Sequence, residues 1–467
     1  MYATRKLNFL LNILLLCVFV SGVHGQDAKS DTKPTPTPIV TGKTPIIIIP
    51  GLMGSELVNK NTKEVVWFKT SRSKDDDLRL PISPYIERNH DELIPGDIVR
   101  QVKIIKVLPE IEIYERLINA LETRGGYKEG NWKTPLENGD ADTFYVFPYD
   151  WRLDNVTNAR KLIRDVEDLK QKLGKPDLKF NIIAHSMGGL IARYAAMYGD
   201  HDLSPRPKPT WAGAKDLDKI FLLGTPNEGS VSTISALLKG FSFLGGGINL
   251  PFVRDIDQFD VFTLPSSFQL LPFDDSLIVY DDTLKRIKLD VYNTRTWDEY
   301  NWAIWDDPAF KKKFSATEQA NARRYFTIAL GRAELFQRAL TANTGAKIPV
   351  SFYLMGADCK ETLNAMIIRR DEKKDRWIAQ FDASSFTNSE GQKITSEQIK
   401  PLIYSMGDGV VTKRSLSGET QTGRGKTTVL PVVSDLFQCE SHNKLVTNTE
   451  IQDRLLLLLA PAAGSTK

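Results

Sequence analysis

A serine at a sharp turn, a histidine that can serve as base near neutral pH and a carboxylate to orient it would together make a nucleophilic site. Ser186 stands in Ala184-His185-Ser186-Met187-Gly188. Small residues two positions to either side suit a strand that turns into a helix through one residue, because the two backbones approach closely there. Such a turn pushes the central side chain outward, beside the N–H groups of the helix's first turn. The flanks agree. Leu178–Ile183 is apolar and β-leaning, and Gly188–Tyr198 carries Leu190, Ile191, Tyr194 and Ala195 at helical spacing. The reading is a nucleophile elbow; the bland alternative is a small-residue turn of any α/β protein, since a five-residue pattern also arises by chance.

Near neutral pH only histidine serves as the base without large pKa tuning. Of five histidines, His24 lies in an apolar leader, His185 adjoins Ser186 and should point away from it, His90 precedes the serine, and His201 follows the elbow helix too closely. His442, in Cys439-Glu440-Ser441-His442-Asn443, remains, with a surface loop histidine as the competing reading. Asp408, in Gly407-Asp408-Gly409-Val410-Val411, is the expected acid, although Gly-Asp-Gly is also a common turn; Asp358 is the reserve. The order Ser, Asp, His is that of the α/β-hydrolase fold. The oxyanion donors expected are the N–H groups of Met187 and of Leu52, in the loop Gly51-Leu52-Met53-Gly54-Ser55 after the apolar run Pro45–Pro50. A plain strand-to-loop turn competes for the Leu52 segment.

Positioning these groups requires a sheet. Pro45–Pro50, Thr143–Tyr149, Leu178–Ile183, Leu217–Gly224 and Ile348–Gly356 read as strands, Pro401–Tyr404 and Thr427–Val433 as further ones, and Asn158–Leu173 and Ile451–Leu459 as helices. Their alternation predicts an α/β fold, a mostly parallel central sheet with helices on both faces. The rhythm is lost over 231–345, where Phe241–Val253 and Leu264–Phe273 are apolar and Trp297, Trp302 and Trp305 cluster. That segment reads as an inserted cap or lid with segments able to meet lipid, or, as likely for each alone, as a buried cap core. The expected organisation is a signal peptide at 1–25, a proline-rich linker at 26–44, a core of 45–230 and 346–460 with an early insertion near 59–110, and the cap.

Composition is ordinary for a globular chain, with 41% hydrophobic and 25% charged residues and a net charge of +3. Removal of a leader carrying Arg5 and Lys6 leaves +1, so nothing points to nucleic acid. The run Leu7–Val20 is short for a membrane span, and Val23-His24-Gly25 suits signal cleavage, with an uncleaved anchor as the alternative. Export is expected, with no integral span after cleavage. Export would permit a disulfide between the two remaining cysteines, Cys359 and Cys439, against a pair of buried thiols. Asn155-Val156-Thr157 is a glycosylation acceptor in a eukaryotic host. No metal cluster or nucleotide-binding glycine motif calls for a cofactor.

Six blocks, PGLMGSEL at Pro50–Leu57, PYDWRLD at Pro148–Asp154, AHSMGG at Ala184–Gly189, GTPNEGS at Gly224–Ser230, GDGVVTKRSL at Gly407–Leu416 and the Ser441-His442 loop, resemble the lecithin:cholesterol acyltransferase family in family order. The family includes phospholipases as well as acyltransferases. The resemblance implies an α/β-hydrolase fold, nucleophile Ser186, acid Asp408, base His442, donors Leu52 and Met187, and Trp67 in a lid region that meets substrate. It further implies transfer of a fatty acyl group from a glycerolipid ester to an alcohol or water at a membrane or lipoprotein-like surface. Animal members clamp an early lid with a disulfide; this chain has no cysteine between Cys17 and Cys359. A triacylglycerol lipase or carboxylesterase, and a non-catalytic lipid-binding protein, remain as alternatives.

Overall fold

Residues 41–69, 77–102, 111–241, 256–342, 348–371, 375–422, 425–428 and 430–461 are described by a computed structural model. The expected leader and most of the linker lie outside the described residues. Seven strands form the central sheet: β1 (Ile46–Ile49), β2 (Lys128–Glu129), β3 (Thr143–Val146), β4 (Phe180–His185), β5 (Leu217–Leu223), β6 (Ser351–Gly356) and β7 (Val432–Phe437). Their order is β7-β6-β5-β4-β1-β3-β2, and every pairing is parallel. The isoleucines of β1 are all buried, as a central parallel strand requires. Alternate residues serve opposite faces. Ile47 and Ile49 pack with the helices α1 (Asn155–Leu173) and α2 (Met187–Tyr198). Ile46 and Ile48 pack with Leu117, Leu121, Ile451 and Leu455 of the helices Glu115–Thr123 and Thr449–Leu459. The fold is therefore the α/β-hydrolase arrangement expected.

Local chemistry sets the boundaries. Asp154 caps α1 by accepting the Thr157 N–H, and Gly174 closes it in the left-handed conformation. Pro401–Tyr404 does not form the expected strand. A capping box of Thr395 and Gln398 starts a helix at Ser396–Ile403 that carries Pro401 inside it, and the strand is Tyr404–Gly407. The last strand is displaced from Thr427–Val433 to Val432–Phe437, just after Pro431, whose missing N–H suits a strand start but not its interior.

Between Val231 and Thr341 the described residues are mainly helical. Its longest element is α3 (Ala316–Thr341), opened by a capping box of Ser315 and Glu318. The buried face of α3 includes Tyr325, Phe326, Ala329, Ala333 and Phe336, with Phe336 stacked on Tyr194 of α2 at 5.8 Å. Leu264, Phe268 and Leu271 are buried, so Leu264–Phe273 is core and not a lipid-facing surface. Trp297 and Trp302 are buried as well, Trp297 edge-on to Phe326. Most of Phe241–Val253 lies outside the described residues. A four-stranded sheet joins Arg286–Ile287 and Ile278–Tyr280 to Ala365–Asp371 and Arg376–Gln380, crossing the boundary expected at 346.

Candidate active site

β4 ends at His185 and α2 begins at Met187, so Ser186 alone makes the corner, with φ 52° and ψ −126°. That positive φ is unusual for a residue with a Cβ. The corner is possible because glycines stand where other backbone crowds it, Gly188 two positions on and Gly51 in the facing loop. A Cβ on Gly188 would lie 2.4 Å from the Pro50 carbonyl oxygen, and one on Gly51 would lie 2.8 Å from Cβ of Ser186. Ser186 is partly exposed within an otherwise buried run.

His442 opens a short helical turn, His442–Thr447, after β7. Its Nε2 lies 2.9 Å from Oγ of Ser186, and its Nδ1 lies 2.7 Å from Oδ2 of Asp408. A carboxylate can only accept, so Nδ1 carries the hydrogen and Nε2 presents its lone pair to the serine hydroxyl, which donates. Asp408 is held rigidly. Its Oδ1 accepts the N–H groups of Val410 and Val411 at 2.9 and 2.7 Å, and its carbonyl accepts the N–H of His442 at 2.9 Å. Burial alone would raise the Asp408 carboxyl, but the His442 imidazole and the two backbone donors outweigh it and hold the carboxyl below its ordinary value.

The loops carrying these two residues are cross-linked. Cys359 and Cys439 form a disulfide with Cα atoms 5.3 Å apart. Cys439 lies three residues before His442, and Cys359 precedes the strand Lys360–Leu363, which pairs with Tyr404–Gly407 just ahead of Asp408. The Gly224–Ser230 loop lies alongside. Gly224, at φ 63°, leaves room for the imidazole, since a Cβ there would lie 3.1 Å from Cε1 of His442. Ser230 Oγ donates to the Val410 carbonyl at 2.9 Å.

On the opposite side of Ser186, Gly54 N–H donates to the Gly51 carbonyl at 3.0 Å, closing a turn with Leu52 and Met53 at its corner. Met53 has φ 61°. Met187 opens α2, in the turn whose N–H groups have no intrahelical acceptor. Trp67, expected in a lid region, packs beneath the same turn. It is buried, donates from Nε1 to the Met53 carbonyl at 2.9 Å and meets Trp151 edge-on at 5.6 Å, so it supports the turn that carries Leu52.

Asp358 pairs with Lys413 at 2.7 Å and is not the partner of His442. His90 and His201 are exposed. Asn155 is fully buried at the start of α1, its N–H donating to Gln269 Oε1, so the sequon is not presented to solvent. His185 points away from Ser186, as expected, but not into inert core. Its Nδ1 lies 2.9 Å from the Tyr114 hydroxyl, which also accepts the Gly51 N–H at 2.8 Å, and its Nε2 lies 3.2 Å from the His442 carbonyl. Sequence reasoning passed over Tyr114, which is 71 residues from His185 and sits in no motif. Among the described residues no group of three or more His, Cys, Asp or Glu could hold a metal ion.

A family model of lecithin:cholesterol acyltransferase matches residues 112–348, just over half of the chain. The chain belongs to the lecithin:cholesterol acyltransferase family. The matched span of this family member holds Ser186 and Met187 but not Leu52, Asp408 or His442. No curated protein sequence matches the chain. Among solved structures it is similar to a chain of the Tle4-Tli4 complex, at 14% identity and TM-score 0.47 over 88% of this chain and 97% of that one. It is also similar to the Bacillus licheniformis lipase BlEst2 in mature form (12%, TM-score 0.36, 92% and 95% covered) and to phospholipase PlaB from Legionella pneumophila (14%, 0.36, 90% and 61%). These likenesses are too distant to carry an argument about activity.

Proposed function

We propose that this family member is a serine-dependent enzyme that moves a fatty acyl group from a glycerolipid ester to an alcohol or to water. The observation that carries the reading is the unbroken chain from Asp408 through His442 to the hydroxyl at the β4–α2 corner. Family membership supports lipid ester chemistry as the broad class.

His442 Nε2 takes the proton of Ser186 as Oγ attacks the ester carbonyl. Asp408 keeps the imidazole in the required tautomer and stabilises its positive charge. The N–H groups of Leu52 and Met187 hold the developing oxyanion, where one donor is worth about 3 kcal/mol. Collapse of the tetrahedral intermediate breaks the ester C–O bond, and the imidazolium returns its proton to the departing alcohol. The acyl group is left on Ser186. His442 then deprotonates water or an acceptor alcohol, which attacks the acyl-enzyme and frees the serine. Hydrolysis and transfer share the first half and part only at the acceptor.

The segment 231–345 serves in this reading as the cap over the site, inserted into a core of 45–230 and 346–460. The leader directs export, and the enzyme works at a lipid surface. Among the described residues no helix is long and apolar enough to cross a membrane. The test is Ser186→Ala assayed on phosphatidylcholine vesicles, with and without a sterol or acylglycerol acceptor. Turnover should fall by roughly 10⁴–10⁶. Survival of turnover in the variant would overturn the reading, and free fatty acid against esterified acceptor in the products of the unmutated enzyme separates hydrolase from transferase.

A further inference from the structure

The hydrogen-bond directions around His185 can be worked out from its partners. The His442 carbonyl can only accept, so Nε2 of His185 carries the hydrogen. A neutral imidazole then offers a lone pair at Nδ1, and the Tyr114 hydroxyl must donate to it. The same hydroxyl oxygen accepts the Gly51 N–H. A single directed chain thus runs from Gly51 N–H to Tyr114, from Tyr114 to His185, and from His185 to the backbone of His442. Its two ends lie at the residue before Leu52 and at the base itself, and its middle is the residue before Ser186. We infer that Tyr114 and His185 are positioning residues that hold the Leu52 amide and the His442 backbone in register with the Ser186 hydroxyl.

This inference rests on the acyl-transfer reading above, in which those three groups act together. The contacts are close on every side. A Cβ on Gly51 would lie 3.3 Å from Nδ1 of His185, so the turn is seated directly on the imidazole. Both side chains are buried, and the Tyr114 ring meets the His185 ring edge-on at 5.9 Å. Packing explains the ring of Tyr114, which lies among Ile98, Leu117 and Leu121, but phenylalanine would fill that space equally. The hydroxyl is what needs a further reason, and its two partners adjoin Leu52 and Ser186. The arrangement also demands an uncharged His185, since a second proton would remove the acceptor for Tyr114 and set a charge beside His442, whose ring lies 5.1 Å away. Burial, and then the neighbouring His442, push His185 down to about 3, so it stays neutral through the reaction.

The test uses the full chain, its labelling rate with a fluorophosphonate and its kcat and KM on phosphatidylcholine vesicles. Tyr114→Phe and His185→Gln should each lower the labelling rate and kcat by about 10- to 100-fold, with KM within about twofold. The double variant should be little worse than either single one, because each already breaks the same chain. Melting temperature separates this from general loosening: kcat falls further than any loss of folded protein accounts for. If one variant does not fold, the other carries the test. Labelling and kcat within twofold of the parent in a folded variant, or two losses that multiply in the double variant, would overturn the inference. If the parent itself fails to label at Ser186, the acyl-transfer reading falls and takes this one with it.

Discussion

Ser186 and the Leu52 turn stand at the ends of β4 and β1, neighbouring central strands buried on both faces, whereas Asp408 and His442 stand on loops toward the β7 edge of the sheet. In the first region, the sheet backbone sets the main placement, and buried side-chain hydrogen bonds from Tyr114 and Trp67 steady the Leu52 turn. Ile49 of β1 pairs with Ala184 of β4, Leu223 of β5 pairs with His185, and glycines allow the close approaches. In the second region, Asp408 follows a short strand outside the central sheet, and β7 is an edge. There the positions are held by cross-links: the Cys359–Cys439 disulfide, the Asp408 carboxylate with its two backbone donors, and the His442 N–H bond to the Asp408 carbonyl. The contrast teaches that a group at the end of a central strand takes its main placement from the sheet and is refined by buried hydrogen bonds, while a group on an edge loop depends on ties throughout, one of them covalent.

The largest effect that would sharpen this contrast is expected from Asp408→Asn. The variant leaves β4 and the Leu52 turn untouched but offers the imidazole an ambiguous partner, and turnover should fall by about 10⁴-fold. Measuring kcat together with the melting temperature checks it; a loss below about tenfold would show that Asp408 does not orient the base. A smaller effect is expected from Cys359→Ser combined with Cys439→Ser. The loop closed by that bridge spans 80 residues of sequence separation, so its loss should cost about 2–4 kcal/mol in denaturant unfolding. Turnover should drop by about tenfold as the His442 loop loosens, with KM little changed. Unaltered kcat in the folded double variant would break the contrast, because the edge region would then hold its geometry without the bridge.

The smallest effect concerns the central region and pH. His185 titrates at an ordinary 6.5 when unfolded and is pushed to about 3 by burial, with a further contribution from His442. Between those values the unfolded chain binds the extra proton, so stability rises with pH across the window. The contribution of His185 is complete above about pH 6.5 and is lost as pH falls toward 3, by at most about 1.4 kcal/mol per pH unit. Asp408, whose folded value is depressed, works in the same direction at lower pH, because its contribution is lost as pH falls through its folded pKa. Denaturant midpoints measured from about pH 7 to 4 should decline for the parent and decline less for His185→Gln. Parallel curves would contradict a neutral, buried His185.

How much of this was legible in the sequence follows the same division. The runs that became β1, β3, β4, β5 and β6 are rich in apolar residues, and sheet burial on both faces imposes that pattern directly. The corner at Ser186 was legible because its glycine and alanine neighbours record a close backbone approach. β2 is only two residues long, too short for any periodic signal. Strand and helix were exchanged near Pro401 because a proline and a short apolar run suggest a strand, whereas the capping box of Thr395 and Gln398 decides for a helix. The capping box of Ser315 and Glu318 was the available sign of α3, which the polar residues along its outer face concealed. Asp408 and His442 were reached by elimination and order, not by local pattern, which suits residues held by distant cross-links. The contacts of Trp67 with Met53 and of Tyr114 with Gly51 were out of reach for the same reason, since only the folded chain makes them.

The most direct test of the central claim, that His442 activates the hydroxyl at the β4–α2 corner, is fluorophosphonate labelling of the full chain followed by peptide mapping. The account predicts a single stoichiometric adduct on Ser186 that is lost in His442→Ala. An unlabelled chain, an adduct on another residue, or undiminished labelling of Ser186 without His442 would contradict it.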